Sequence, residues 1–369
     1  MLAFEYIDDN ERLEALVRQY EQADLLVLDT EFVRTRSYYA KLGLIQAYDG
    51  QTLALIDPLA VTNLSVFWAL LTQPNLIKVL HSCSEDLDVF AHYAQCQPAP
   101  LFDSQIGASL AGLGHSLGYA KLVEQLLSVN LDKGESRTDW LKRPLSQAQL
   151  DYAANDVYYL YKLYPQLIET LKNQSRLDWV LAESERITQN RLTPVDPEEA
   201  YLKVKNAFQL LPKQLACLRD LAKWRLEVAV KRDMAVGFVI KDHALISLSK
   251  KQPKSMAQLA KLTDLTEQEK RVHGKKIIEI MSQVSDEFLP EPIDVIALKT
   301  GYKSAFKAIK QVLVTQAEAA QVPIELLGSK RHIHEYLRWL WDGKKGDLPL
   351  ILTGWRANIV GDHLNDIAV

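Results

Sequence analysis

The sequence predicts an α/β domain built on a mixed sheet, followed by two small all-α domains. Strand-like and helix-like runs alternate over the first 190 residues, the character turns wholly helical after "RLTPVDPEEA", and a second break falls at "FLPEPID", residues 288–294. A chain of 369 residues also exceeds what one hydrophobic core usually serves. The predicted division is 1–192, 193–290 and 291–369.

Taken in order, "LAFEYI" reads as a strand and "ERLEALVRQY" as a helix. "LLVLDTEF" follows as a buried strand, because four aliphatic residues, Leu25 to Leu28, run together. "LIQAYDGQTLALID" is a hairpin, with Asp49-Gly50 supplying the turn between two apolar stretches. "LSVFWALL" is helix-like and "LIKVLH" is a strand running directly into the helix of "SCSEDLDVF". There Ser82 and Glu85 have the spacing of a capping box. "LSQAQLDYAANDVYYLYKLY" is one amphipathic helix whose tyrosine stripe, Tyr158, Tyr159 and Tyr161, suits a core. Hairpin-linked strands beside crossover-linked strands require a mixed sheet. Pro194 and Pro197 then interrupt the chain, and "KQLACLRDLAKWRLEVAVKRDM" and "EKRVHGKKIIEIMSQV" continue as helices.

The net charge of −4 conceals an asymmetry. Residues 1–200 hold 16 basic and 28 acidic side chains, residues 201–281 hold 17 and 8, and residues 282–369 hold 10 and 11. A basic module beside an acidic one suggests a polyanion-binding domain next to carboxylates that hold cations. No apolar run reaches the roughly 18 residues a membrane span needs, and the N-terminus lacks a signal pattern, so no membrane association and a cytoplasmic location are expected. Cys83, Cys96 and Cys217 have neither metal-ligand nor disulfide spacing and read as buried thiols in a reducing compartment.

The chemistry concentrates in acids. Asp29 and Glu31 end the buried strand with one residue between them, so both point to the same face, roughly 7 Å apart along the backbone. Like charges on a partly buried face need cations, protons or donors. Asp86 lies in a first helical turn, where it is either a dipole stabiliser or a functional acid. Tyr152 and Asp156 are i and i+4, about 6 Å apart at Cβ, and Asp156 sits among Ala153, Ala154 and Val157, too apolar a setting for an unpartnered charge. Oxygen ligands without His or Cys select Mg²⁺ or Mn²⁺, and two such ions roughly 3.5–4 Å apart are the clamp used for phosphodiester hydrolysis. His81, just before Asp86, reads as a packed or hydrogen-bonded histidine rather than a ligand.

"LDTEFVR", "HSCSEDLDVF" and "YAANDVYYL" resemble the three exonuclease motifs of the DEDD superfamily, in its tyrosine-bearing subclass. "LDTEFVRTRSYYAKLGLIQ", "LDKGESRTDWLKRPL" and "QLACLRDLAKWRLEVAVKRDMAVGFV" extend the likeness to the bacterial ribonuclease D family over nearly the whole chain. That resemblance implies a ribonuclease H-like exonuclease domain followed by two HRDC domains, the first of them basic and nucleic-acid binding. It implies two divalent ions, Mg²⁺ or Mn²⁺, with Asp29, Glu31 and Asp156 at the first, Asp29 bridging to the second, and Asp86 serving the second through water. Tyr152 would orient the attacking water. The implied activity is 3′-5′ exoribonucleolytic removal of 5′-monophosphates from RNA, in particular tRNA precursors with single-stranded 3′ ends, by a monomer.

Secondary candidates are Phe32, as a stacking surface for a terminal base or a buried ring, and Arg34, Arg36 and Arg137 for phosphates. In the basic module Lys223, Arg225, Lys231 and Arg232 are candidate phosphate contacts, with Trp224 and Phe238 expected in the core. Lys133 belongs to the same family-like segment as Arg137, without a role its residues define. Two alternatives stand beside this reading: a 3′-5′ exonuclease on DNA, and a non-catalytic RNA-binding protein.

Overall fold

The computed structural model describes residues 2–132, 134–192, 195–285 and 287–365, with the side chains of Asn190, Leu192 and Asn365 excepted; Lys133 and Pro194 lie outside the described residues. Contacts divide the chain into two units: residues 1–33, 41–192 and 296–369 form one, and residues 34–40 with 193–295 form the other.

In the first unit six strands, β1 (Glu5–Ile7), β2 (Leu25–Val33), β3 (Lys41–Tyr48), β4 (Leu53–Ile56), β5 (Ile77–Leu80) and β6 (Leu101–Asp103), form one sheet of order β1-β4-β3-β2-β5-β6. The β2–β3–β4 pairs are antiparallel, whereas β1–β4, β2–β5 and β5–β6 are parallel. The sheet is therefore mixed. The β3–β4 hairpin turns at Asp49, whose carboxylate accepts the N–H groups of Gln51 (2.8 Å) and Thr52 (2.7 Å), and at Gly50 (φ +97°), a backbone angle that side chains disfavour.

Among the described residues, the helices that alternate with these strands are α1 (Asn10–Tyr20), α2 (Ser65–Leu70), α3 (Ser84–Tyr93), α4 (Ser104–Leu110), α5 (Tyr119–Leu127), α6 (Gln147–Asn173) and α7 (Leu177–Leu192). The 27-residue α6 starts at a capping box between Ser146 and Gln149 and contains Pro165. It lies across β2, β3 and β4, where Ala153, Ala154 and Val157 share a core with Val27, Leu44 and Leu55. Alanines at that contact allow close approach of helix and sheet. Tyr158, Tyr159 and Tyr161 pack against the same core.

Helices α13 (Tyr302–Ala320), α14 (Ile324–Leu327), α15 (Lys330–Trp341) and α16 (Gly354–Asn365) also belong to this unit, and α8 (Pro212–Lys231), α9 (Val236–Val239), α10 (Asp242–Lys251), α11 (Met256–Ala260) and α12 (Glu267–Gln283) to the second. The C-terminal helices share one continuous apolar core with the α/β layers. Their fastening is polar: buried Glu183 of α7 accepts from Trp355 Nε1 (3.0 Å) and forms a two-pronged ion pair with buried Arg356. Arg176 ties the carbonyl of Leu110 (2.7 Å) to that of Ala320 (2.5 Å), and Trp179 stacks on Trp355 at 4.9 Å.

The second unit is built around Leu215, Leu218, Trp224, Leu245, Leu248 and Ile277. Residues 34–40 join it, with the N–H groups of Tyr38 and Tyr39 donating to Asp233 (3.1 and 3.0 Å) and Ala235 N–H to the Arg36 carbonyl (2.7 Å). Three expectations need correction here. Arg225 is buried and spent on the Ile240 carbonyl (2.9 Å) and Asp242 (2.8 Å), so it meets no phosphate. Phe238 is 55% exposed beneath the Arg36 guanidinium, because α9 turns Val239 into the core and Phe238 away from it. Cys83 and Cys217 are buried, whereas Cys96 is only half-buried.

Candidate active site

The carboxyl half of β2 carries the site. Its parallel pairing with β5 ends at Val27↔Val79, so Asp29 to Glu31 pair with β3 alone and the β5 side is open. Such an opening at the carboxyl end of parallel strands is where α/β sheets bind ligands. A register shift between Glu31 and Phe32, a β-bulge, re-aims the chain just past the acids.

Asp29, Glu31 and Asp156 each place a carboxylate oxygen within 4.8 Å of the other two. Asp156 comes from α6, more than a hundred residues away. Asp86, buried in the first turn of α3, stands beside this trio and accepts a hydrogen bond from the Thr30 hydroxyl. Tyr152 lies one turn before Asp156 on α6, near enough for the two groups to shift each other's protonation, and its ring lies 6.1 Å from that of buried Trp140. Among the described residues none of the four acids is paired with lysine or arginine.

Electrostatics follow from this crowding. Burial, then the Asp29, Asp156 and Asp86 charges, push Glu31 up to about 10. Burial raises Asp156 to about 8 against the lowering effect of the Tyr152 hydroxyl. Asp29 and Asp86 are raised well above the usual carboxylate range, by burial first and by Asp156 and Asp29 respectively. Burial and the neighbouring acids also raise Tyr152, which is a neutral phenol across the physiological range. Four acids that resist ionisation together, all oxygen donors and without a basic partner, fit a hard divalent cation.

The local sequence explains the placements, with one correction. Ser82 and Glu85 form no capping box: Ser82 adopts φ +55°, α3 starts at Ser84, and the N–H groups of Ser82 (3.3 Å) and Cys83 (3.0 Å) go to Asp103. Asp103 also caps α4 through Gln105 N–H (2.8 Å) and Ile106 N–H (3.1 Å), so one carboxylate binds two helix starts. Sequence reasoning missed Asp103 and Thr30, since neither spacing nor composition marks them. His81 is held by Ser104 (2.9 Å) and the Leu117 carbonyl (3.1 Å).

Phe32 is half-buried beyond the bulge, and Arg137 is exposed in the loop before α6. Arg34 and Arg36 fall in the segment that clusters with the second unit. The loop bearing Arg137 and Trp140 is anchored by Arg143, whose two nitrogens grip Asp57 (both 2.7 Å) and whose third bond reaches the Gly43 carbonyl (2.6 Å). At Gly43 a side chain is excluded, because a Cβ would lie 2.6 Å from the Trp140 carbonyl oxygen.

A mixed sheet whose central strand ends in clustered acids, completed by an Asp and a Tyr from one helix, defines a 3′-5′ exonuclease domain, and the family model described as 3′-5′ exonuclease matches residues 4–172. An exonuclease domain of this kind implies use of a divalent metal. Two further matches cover the helical parts: an HRDC domain over residues 214–281 and a ribonuclease D C-terminal HRDC domain over residues 300–364. Ribonuclease D of Shewanella sp. (strain ANA-3) is 64% identical over 366 residues, 99% of this chain and 94% of that protein. Ribonuclease D of Escherichia coli is 40% identical, and its crystal structure superposes with a TM-score of 0.94 over 99% of this chain and 98% of that one. The chain belongs to the ribonuclease D family, and its activity is that of a 3′-5′ exoribonuclease. Among the described residues no helix is long and apolar enough to cross a membrane.

Proposed function

We propose that the chain trims RNA from the 3′ end by two-metal-ion hydrolysis, releasing nucleoside 5′-monophosphates, and that precursors of tRNA with single-stranded 3′ ends are its substrates. The carrying observation is the trio Asp29, Glu31 and Asp156, whose oxygens lie within 4.8 Å of one another and, among the described residues, have no lysine or arginine partner. When bound, a pair of Mg²⁺ or Mn²⁺ ions supplies Lewis acidity at the terminal phosphodiester. Asp29, Glu31 and Asp156 would hold the first ion, and Asp29 with Asp86, the latter steadied by Thr30, would serve the second. Tyr152, one turn from Asp156 on α6, orients the attacking water in line with the bond to be broken. The water oxygen bonds to phosphorus, the bond to the penultimate 3′-oxygen breaks, and that oxygen takes up a proton.

Phe32 stacks on the terminal base, and Arg34, Arg36 and Arg137 meet phosphates. Lys231 and Arg232, exposed in the second unit, add non-specific phosphate contacts. The working division is an exonuclease domain over 1–192, a basic HRDC domain over 193–290 and a second HRDC-like domain over 291–369, in a monomer. Three unpaired cysteines suit a cytoplasmic setting.

The test is digestion of matched, 5′-labelled RNA and DNA strands with Mg²⁺, with Mn²⁺ and with chelator. Stepwise shortening of RNA that chelator stops is expected, with 5′-monophosphates as product. Activity in chelator, or 3′-monophosphate products, would overturn the mechanism.

A further inference from the structure

The turn of α6 that presents Asp156 is gripped from outside the helix. The Tyr119 hydroxyl, at the start of α5, lies 2.6 Å from the backbone carbonyl oxygen of Asp156 and 2.9 Å from that of Asn155. In a regular helix the Asp156 carbonyl accepts only the N–H of Leu160, four residues on. Here the Tyr119 hydroxyl is a second donor at that carbonyl, so a group from outside the helix meets the backbone ladder at the residue whose side chain completes the carboxylate trio. One turn further the ladder lacks a donor, because Pro165 has no N–H for the Tyr161 carbonyl. Between Asp156 and Pro165, then, α6 has one backbone bond fewer than a regular helix, and the Tyr119 hydroxyl adds a tie from outside at the Asp156 turn.

Tyr119, whose helix α5 packs against α6, is also held from the sheet side. Its ring packs 5.5 Å from His81, at the end of β5. His81 donates to or accepts from Ser104 on one nitrogen and meets the Leu117 carbonyl on the other, and Gln105 Nε2 donates to that carbonyl as well (3.0 Å). The tyrosine is therefore referenced to the β5 and α4 side of the sheet. Asp29 and Glu31 are referenced to β2 and β3. Asp156 is the one member of the trio brought in by a helix, and Tyr119 ties that helix to the sheet at the residue concerned.

We propose that Tyr119 is a positioning residue that sets the placement of Asp156 relative to Asp29 and Glu31, and through it the affinity of the site for divalent metal. The inference rests on the reading of Asp156 as a metal ligand. Tyr119 touches backbone, not the carboxylate, and takes no part in the bond changes.

The test is Tyr119→Phe, which keeps the ring and deletes the hydroxyl. Calorimetric titration with Mn²⁺ in the absence of RNA is expected to show about ten-fold weaker binding. Turnover should fall at low Mn²⁺ and recover at high Mn²⁺, with KM for RNA unchanged. Tyr20→Phe is the control, because the Tyr20 hydroxyl likewise lies within hydrogen-bond distance of two backbone carbonyls, of Ala47 and Thr52 (both 3.1 Å), away from the acids. It should lower the melting temperature without altering Mn²⁺ affinity. Unchanged Mn²⁺ binding by Tyr119→Phe, or equal weakening in both variants, overturns the proposal. Asp156→Asn, titrated alongside, separates the levels. If it binds Mn²⁺ like the unaltered protein, the reading of the site fails; if it loses metal while Tyr119→Phe does not, only the role of Tyr119 fails.

Discussion

Removing one acid from the cluster should stabilise the metal-free protein while destroying its activity. Asp156 titrates at about 8 in the folded state against 3.8 in its ordinary setting, chiefly because it is buried. Below pH 3.8 both folded and unfolded chains hold the proton and no penalty exists. As pH rises, the unfolded chain releases its proton and the folded one does not. Stability is thereby lost at about 1.4 kcal/mol per pH step until the folded group also ionises near 8. At pH 7 the ceiling is roughly 4 kcal/mol, and water entry with side-chain relaxation reduces this to about 1–3 kcal/mol. Asparagine cannot ionise, and it also relieves Glu31, whose raised value owes part of its origin to Asp156. Thermal unfolding of Asp156→Asn in chelator should therefore exceed that of the unaltered protein by several degrees at pH 8 and converge with it near pH 4. Added Mn²⁺ should reverse the order, since it stabilises only the form that binds it. A variant no more stable than its parent at pH 8 in chelator, or equal stabilisation of both by Mn²⁺, would refute the account of the cluster.

Further consequences can be measured separately. Tyr152→Phe should lower kcat by about 10²-fold with little change in KM for RNA, because it removes a hydroxyl aimed at the reacting water; a changed KM with unchanged kcat would contradict that role. Gln46, fully buried and directly across the strand pair from Asp29, has neither polar atom of its amide bonded, so Gln46→Met should raise stability by about 1–2 kcal/mol in urea unfolding; a loss would mean the amide is satisfied. Arg356→Met takes the two-pronged ion pair from buried Glu183, leaving it Arg186 and Trp355, and should cost about 1–3 kcal/mol, read in the same assay. Replacing Lys231 and Arg232 by Gln should flatten the dependence of RNA affinity on salt by about 0.7 in log–log slope for each phosphate no longer neutralised, and an unchanged slope would place RNA elsewhere.

Much of this was legible in the sequence because it is local. Four aliphatic residues followed by two acids specify a buried strand with a charged end, whatever the rest of the chain does. The i, i+4 spacing of Tyr152 and Asp156 puts a phenol and a carboxylate on one helix face, and Asp49-Gly50 makes a turn. Where reading failed, two local rules competed with a distant partner. The Ser82–Glu85 spacing satisfies a capping box, yet Asp103, some twenty residues on, takes the N–H groups and leaves Ser82 in a left-handed turn. Arg225 and Lys223 look alike as charges on one helix, but α8 buries the first against Ile240 and Asp242 and leaves the second nearer solvent, paired with Glu198.

The sequence alone determined which residues carry charge, which stretches are strand or helix, and that acids lie where a buried strand ends, for each depends on neighbours a few residues apart. Only the tertiary structure decided that Asp156 meets Asp29 and Glu31, that Asp86 stands aside with Thr30, and that the C-terminal helices share the core of the α/β layers. Those outcomes depend on how a 27-residue helix crosses the sheet and on what Tyr119, Asp103 and Arg356 hold in place. Long-range packing sets such contacts, and no spacing along the chain encodes them.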